Sequence, residues 1–137
     1  MMLAMRLLVI FCLFLSSTLQ AQVSLSASEG VVRMISDYSK YDDGKEINKE
    51  DHEILINFDL RKIIIKNLAT EEVVFDLDYT QHIDGTSQSA ILQPGENVFF
   101  VRSEEIELCS YQDMFKSFSV NYINKRTLSY IGIERQQ

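Results

Sequence analysis

The run EILINFDLRKIIIKNLATEEVVFDLDYT, residues 53–80, constrains the fold more than any other part of the chain. Ile54, Ile56 and Phe58 alternate with Leu55, Asn57 and Asp59, and Ile63 and Ile65 alternate with Ile64 and Lys66. A period of two in β-branched residues is the pattern of strands with one face toward a core. Residues 59–62, DLRK, have the length of a short hairpin loop. After the connection NLATEE, a third run sets Val73, Phe75 and Leu77 on one side and Val74, Asp76 and Asp78 on the other. The three runs read as an antiparallel meander, a scaffold rather than a reaction centre.

The same logic recurs along the chain. In SAILQPGENVFFVR, Pro94 and Gly95 stand between two apolar runs as a hairpin turn. Phe118, Val120 and Tyr122 alternate with serines and an asparagine, then NKRT turns into LSYIGIE. GVVRMIS, residues 30–36, reads as a first strand, and the charged, aperiodic residues 37–52 read as a loop. Residues 105–109 alternate as a strand does, yet Leu108, Tyr111, Phe115 and Phe118 also fall at helical spacing. A short helix within residues 104–115 is therefore the rival to a strand there. The expectation is an all-β domain with at most one short helix. Its antiparallel meander of about six to eight strands would close into a small barrel or form a curved sheet or sandwich.

The chain begins MMLAMRLLVIFCLFLSSTLQAQ, with Arg6 ahead of an unbroken apolar run at residues 7–15 and small and polar residues up to Ala21. This is the layout of a secretory signal peptide, expected to span residues 1–21 and to leave residues 22–137 as a single β domain. The apolar run is about half the length needed to cross a bilayer, so no stable membrane insertion is expected after cleavage. The expected location is periplasmic or extracellular. Cys109 is then the one remaining cysteine and closes no internal disulfide. The net charge of −7 becomes −8 once Arg6 is removed. An acidic surface repels phosphate backbones, so nucleic acid is not an expected partner.

Catalytic signatures are missing from the pattern. The chain has only two histidines, His52 and His82, no serine in a G-x-S-x-G setting and no glycine-rich phosphate loop. Two stretches could recognise something. DLDYTQHID brings Asp78, His82 and Asp84 close in sequence, a set of donors suited to zinc or manganese. The acidic segment at residues 38–53 carries Tyr38, Tyr41, Asp42 and Asp43, two rings and two carboxylates suited to a partner or ligand. Its further acids, Glu46, Glu50, Asp51 and Glu53, offer oxygens to calcium but lack the spacing of an EF-hand.

The order GKE, HEILINFDLRKIIIKN, EEVVFDL and later FSVNYINKRTLSYIG resembles uncharacterised small exported β proteins of Gram-negative bacteria. In those proteins a strand ending in a phenylalanine–aspartate pair, here Phe58 and Asp59, leads through a polar turn into an isoleucine-rich strand, here residues 63–65. The resemblance covers residues 44–132, rests mostly on hairpin patterning and carries over no catalytic residue. It implies a periplasmic or secreted β protein.

The expected function is a non-enzymatic binding or accessory domain with no cofactor, recognising a protein partner or small ligand through residues 38–53 or 78–87. The first rival is a carrier of a small apolar ligand, enclosing a cavity among Ile56, Phe58, Ile65, Phe75, Phe99 and Phe118. The second is a metal-dependent enzyme using Asp78, His82 and Asp84.

Overall fold

The structure is a computed structural model that describes residues 25, 26, 29–44, 47–85, 92 and 95–136. The expected signal peptide and Pro94 lie outside the described residues. Within them the chain is all-β. Its strands are β1 (Val31–Ser36), β2 (Tyr38–Tyr41), β3 (Ile47–Asn48), β4 (His52–Asn57), β5 (Lys62–Asn67), β6 (Val73–Asp84), β7 (Glu96–Val101), β8 (Ile106–Gln112), β9 (Ser117–Tyr122), β10 (Thr127–Ile131) and β11 (Glu134–Gln136). All pair antiparallel in one curved sheet, in the spatial order β11-β1-β4-β5-β6-β7-β8-β9-β10-β2-β3.

Eleven strands exceed the expected six to eight for two reasons. Two strands, β2 and β3, form inside residues 37–52, the segment read as a loop, and the run read as one last strand is two; β2 and β11 continue runs that bend. One run bends at Asp37 between β1 and β2, the other at Gly132 and Ile133 between β10 and β11. The two runs pair with each other across both bends in one continuing register, Ile35 opposite Glu134 and Tyr38 opposite Ile131. The Asp37 amide donates to the Ile131 carbonyl at 3.1 Å. The buried Ser36 hydroxyl, 2.9 Å from the carbonyls of both Tyr38 and Ile131, shares its proton between them. Because β1 also pairs with β4 while β2 pairs with β3, this seam carries the chain from one half of the curved sheet to the other.

Gly132 has a φ of 68°, and a β-carbon added there would meet Asp37 Oδ2 at 2.4 Å and Cγ at 3.0 Å. A side chain at this position faces both left-handed strain and a collision at the seam. Gly132→Ala is expected to cost about 1–3 kcal/mol in urea unfolding. Gly44→Ala, with a φ of 69° but nothing within 4 Å, meets the strain without the collision and is expected to cost about 1 kcal/mol, less than Gly132→Ala. Equal losses for the two would mean that Asp37 does not crowd Gly132.

The core follows the strand period. Val32 and Met34 from β1, Ile54 and Ile56 from β4, and Ile63 and Ile65 from β5 are buried against Phe99, Cys109, Phe118, Val120, Leu128 and Tyr130. The expected rival helix at residues 104–115 does not form, because residues 106–112 are β8. A register shift between Ile106 and Leu108 leaves one extra residue in the strand, so the buried positions become Ile106, Cys109 and Tyr111. The residues at helical spacing form no buried face: Leu108 is half-buried and Phe115, 65% exposed, lies in the turn between β8 and β9.

Two more shifts shape β6. Residues 73–78 pair with β5 and residues 79–84 with β7, so the strand runs on to Asp84 where a loop was expected from residue 78. One shift lies opposite Ile65 and Lys66, and Val73 consequently faces out, 53% exposed, rather than joining Phe75 and Leu77. The other lies between Tyr79 and Gln81.

Candidate functional site

The acidic segment is a strand pair and a turn rather than an open loop. Tyr38 stands opposite Ile131, and Tyr41 opposite Leu128, because β-forming tyrosines find a ladder partner in β10. The Arg126 guanidinium sits 3.5 Å from the centre of the Tyr41 ring. Asp42 and Asp43 are exposed in the turn that follows, which is closed by the Gly44 amide donating to the Tyr41 carbonyl at 2.9 Å. The other carboxylates of the segment diverge. Glu50 accepts from the Asn67 side chain, and Glu53 pairs with Arg33 at 2.5 Å.

Asp78, His82 and Asp84 do not converge on one point. Asp78 is on the outer face, 3.3 Å from Lys62 Nζ, which also reaches Asp76 at 3.2 Å. These two carboxylates, by hydrogen bonding and charge, hold the exposed Lys62 ammonium above its usual pKa. The register shift at Tyr79 and Gln81 turns His82 the other way, toward the core. Its ring stacks on Phe99 at 4.4 Å between centres and 7° between planes, and its Nε2 lies 2.8 Å from Asn97 Oδ1. Asp84 is half-buried at the end of β6, opposite Asn97. Among the described residues, no three His, Cys, Asp or Glu side chains are grouped to hold a metal ion.

The six side chains expected to line an apolar cavity belong to the packed core, five of them buried and Phe75 partly so. A cleft of about 600 Å³ opens elsewhere, where the ends of β2 and β10 face the ends of β4 and β5. Its walls are Ser39, Tyr41, His52, Asn67, Leu128 and Tyr130, and Ile47, Asn48, Glu72 and Val74 complete the lining. Val74 comes from the irregular stretch of β6. The volume suits a small organic molecule or a single large side chain.

The polar walls are held in place. His52, 3% exposed, has Nδ1 at 3.0 Å from the Glu50 carbonyl and its ring edge-on to Tyr130 at 5.1 Å. Asn67, 7% exposed, donates to Glu50 and accepts from the amides of Ala69 at 2.9 Å and Thr70 at 3.2 Å, which caps the turn after β5. Burial, then the neighbouring Tyr122 and Tyr41 hydroxyls, push the Tyr130 phenol well above its ordinary value. Burial, then the charge of Tyr41 and a hydrogen bond to it, push Tyr122 up to about 12. These phenols therefore stay neutral near pH 7 and work as hydrogen-bonding groups. The buried Cys109 thiol, pushed up to about 12 by burial, is a packing group rather than a nucleophile.

The expected recognition segment at residues 38–53 holds Ser39, Tyr41, Ile47, Asn48 and His52 of this lining, but sequence reasoning singled out only Tyr41 among them and did not bring Asn67, Glu72, Val74, Leu128 or Tyr130 to the same place. The signal was present in the stripes themselves, because His52 continues the inward series Ile54 and Ile56, and Asn67 continues Ile63 and Ile65. A polar residue in phase with a core stripe is a placed polar residue. Comparison with known proteins finds no matching family model, no matching curated protein and no matching solved structure.

Proposed function

We propose that this chain is an exported, non-catalytic recognition domain that binds a small molecule or side chain carrying both hydrogen-bonding and aromatic or aliphatic surface. The observation that supports this reading is the cleft, where Ser39, His52 and Asn67 are buried on the same wall system as Tyr41 and Tyr130. Few, fixed polar groups among rings and aliphatic side chains are what orient a ligand that apolar contact retains. Export rests on the leader pattern in residues 1–21 and the resemblance to exported β proteins. The residues of the earlier expectation shift in role. Tyr41 contributes to the cleft wall, whereas Asp42 and Asp43 are exposed beside it.

Ile47 is 56% exposed and Val74 41% exposed at the mouth, so arginine at either position fills the opening without disturbing the core. A fragment screen by ligand-observed NMR is expected to find compounds with an amide or hydroxyl beside a ring that bind the wild type. Their binding should weaken about tenfold or more in Ile47→Arg and Val74→Arg. An empty screen, or hits that bind the two variants as well as the wild type, would remove the cleft as the recognition site.

A further inference from the structure

The first half of β6 has a backbone edge that no described strand uses. Tyr79 N–H donates to the Arg61 carbonyl at 3.0 Å, on the β5 side. Alternation then turns the backbone groups of Asp78 and Asp76 to the opposite side. There the Asp78 carbonyl accepts from Arg102 N–H at 2.8 Å, and that bond ends the contact with the β7 run. Below it the β6–β7 pairing has stopped, since its register runs from Tyr79 to Asp84, and residues 73–77 pair, among the described residues, only with β5. The chain after Arg102 leaves for β8 instead of continuing the ladder.

Such an edge accepts an extended peptide, and its surroundings select which one. Residues 71–78 carry Glu71, Glu72, Asp76 and Asp78 and no base, and the segment leaving β7 adds the exposed Glu104 and Glu105. Lys62 offsets Asp76 and Asp78, and Lys66, opposite Val73, and Arg102 are the other bases nearby, so the six acids still outnumber the bases around the edge. Val73 and Val74 are exposed on the strand itself. A second copy of this chain pairing antiparallel about Phe75 would set Glu72 opposite Asp78 across the interface, twice, and like charges facing each other destabilise a ladder. We infer that residues 73–77 form a strand-addition site for an extended peptide of alternating basic and aliphatic residues. Main-chain bonds to Asp76 supply the register, and the acids supply the preference for cationic side chains.

The test uses the whole domain and a fluorescent heptapeptide of alternating lysine and valine, followed by anisotropy. Asp76→Pro removes an amide that points away from β5, so it blocks strand addition while leaving the β5 ladder its donors. Asp76→Asn keeps the amide and controls for the lost charge. Binding is expected to fall about tenfold or more for Asp76→Pro, and equally for a peptide N-methylated at alternate residues. Asp76→Asn is expected to bind within about threefold of the wild type. Should Asp76→Pro fail to fold by circular dichroism, the methylated peptide decides alone. Full binding of the methylated peptide would reduce the effect to nonspecific charge attraction and overturn the proposal, as would no binding of the lysine–valine peptide.

Discussion

Alkaline titration is expected to unfold the protein between about pH 9 and pH 12, well before backbone chemistry intervenes. The cause is a set of acids that the fold keeps protonated. Burial pushes the Cys109 thiol from 9.0 up to about 12. It is also the first cause of the rise of Tyr122 to about 12 and of the further rise of Tyr111 and Tyr130. Tyr111 is held additionally by the Asp113 carboxylate, 3.1 Å from its hydroxyl. In the unfolded chain these groups ionise at their ordinary values, so in this window the folded state binds more protons than the unfolded one. The stability they contribute is complete below about pH 9 and is lost as pH rises toward the folded-state values.

Each fully buried group removes up to about 1.4 kcal/mol per pH unit, so Cys109 alone removes up to about 4 kcal/mol across the window. The tyrosines add to this, with Tyr122 discounted because it retains solvent contact. A domain of this size has a stability of about 5–15 kcal/mol, so the combined loss is enough to unfold it. The share of the tyrosinate absorbance that belongs to Tyr111, Tyr122 and Tyr130, half of the six tyrosines, should appear together with the loss of the far-UV circular dichroism signal. The full absorbance of all six tyrosinates appearing with a midpoint near pH 10 while the sheet signal persists would show that these phenols are not sealed in the core.

Phe99→Ala is expected to cost about 3–5 kcal/mol. Phe99 is 0% exposed, and three rings converge on it: His82 stacked at 4.4 Å, Tyr79 edge-on at 5.1 Å and Phe58 at 6.2 Å. Truncation removes the buried area of a phenylalanine, leaves a cavity, and releases the ring that holds His82 against the β6–β7 ladder. Phe100, its neighbour on the outer face, is 37% exposed, and Phe100→Ala should cost about 1 kcal/mol or less. Urea unfolding of the two variants gives the comparison. Equal small losses would contradict the placement of Phe99 at the centre of the core.

The stripes that make the core were legible because strand periodicity is a local property. Ile54, Ile56, Ile63, Ile65, Phe118 and Val120 are all 0% exposed, as their alternation implies. Residues far apart in sequence also meet. Glu29 pairs with Arg135, and Arg126 covers Tyr41. What could not be read was every place where a strand gains a residue. The shifts in β6 and β8 change the face of what lies beyond them, which moved Val73 outward, set His82 apart from Asp78 and put Cys109 rather than Leu108 in the core. The bend at Asp37 was invisible for a different reason, since it is stabilised by Ile131, far away in sequence. The cleft inherits both difficulties. Its walls come from β2, β4, β5 and β10, and only the assembled register shows that Ser39, His52 and Asn67 face the same space.

The central claim is that recognition happens in this cleft, and an amide-shift map tests it most directly. The wild-type domain, isotopically labelled, is titrated with the tightest-binding fragment, and shifted backbone amides are assigned. The account predicts that the largest shifts cluster at residues 39–41, 47–48, 52, 67, 72–74 and 128–130, the positions that converge on the cleft from separate strands. Shifts confined to Asp42 and Asp43, or to residues 78–84, would contradict it and return recognition to the acidic turn or to the far half of β6.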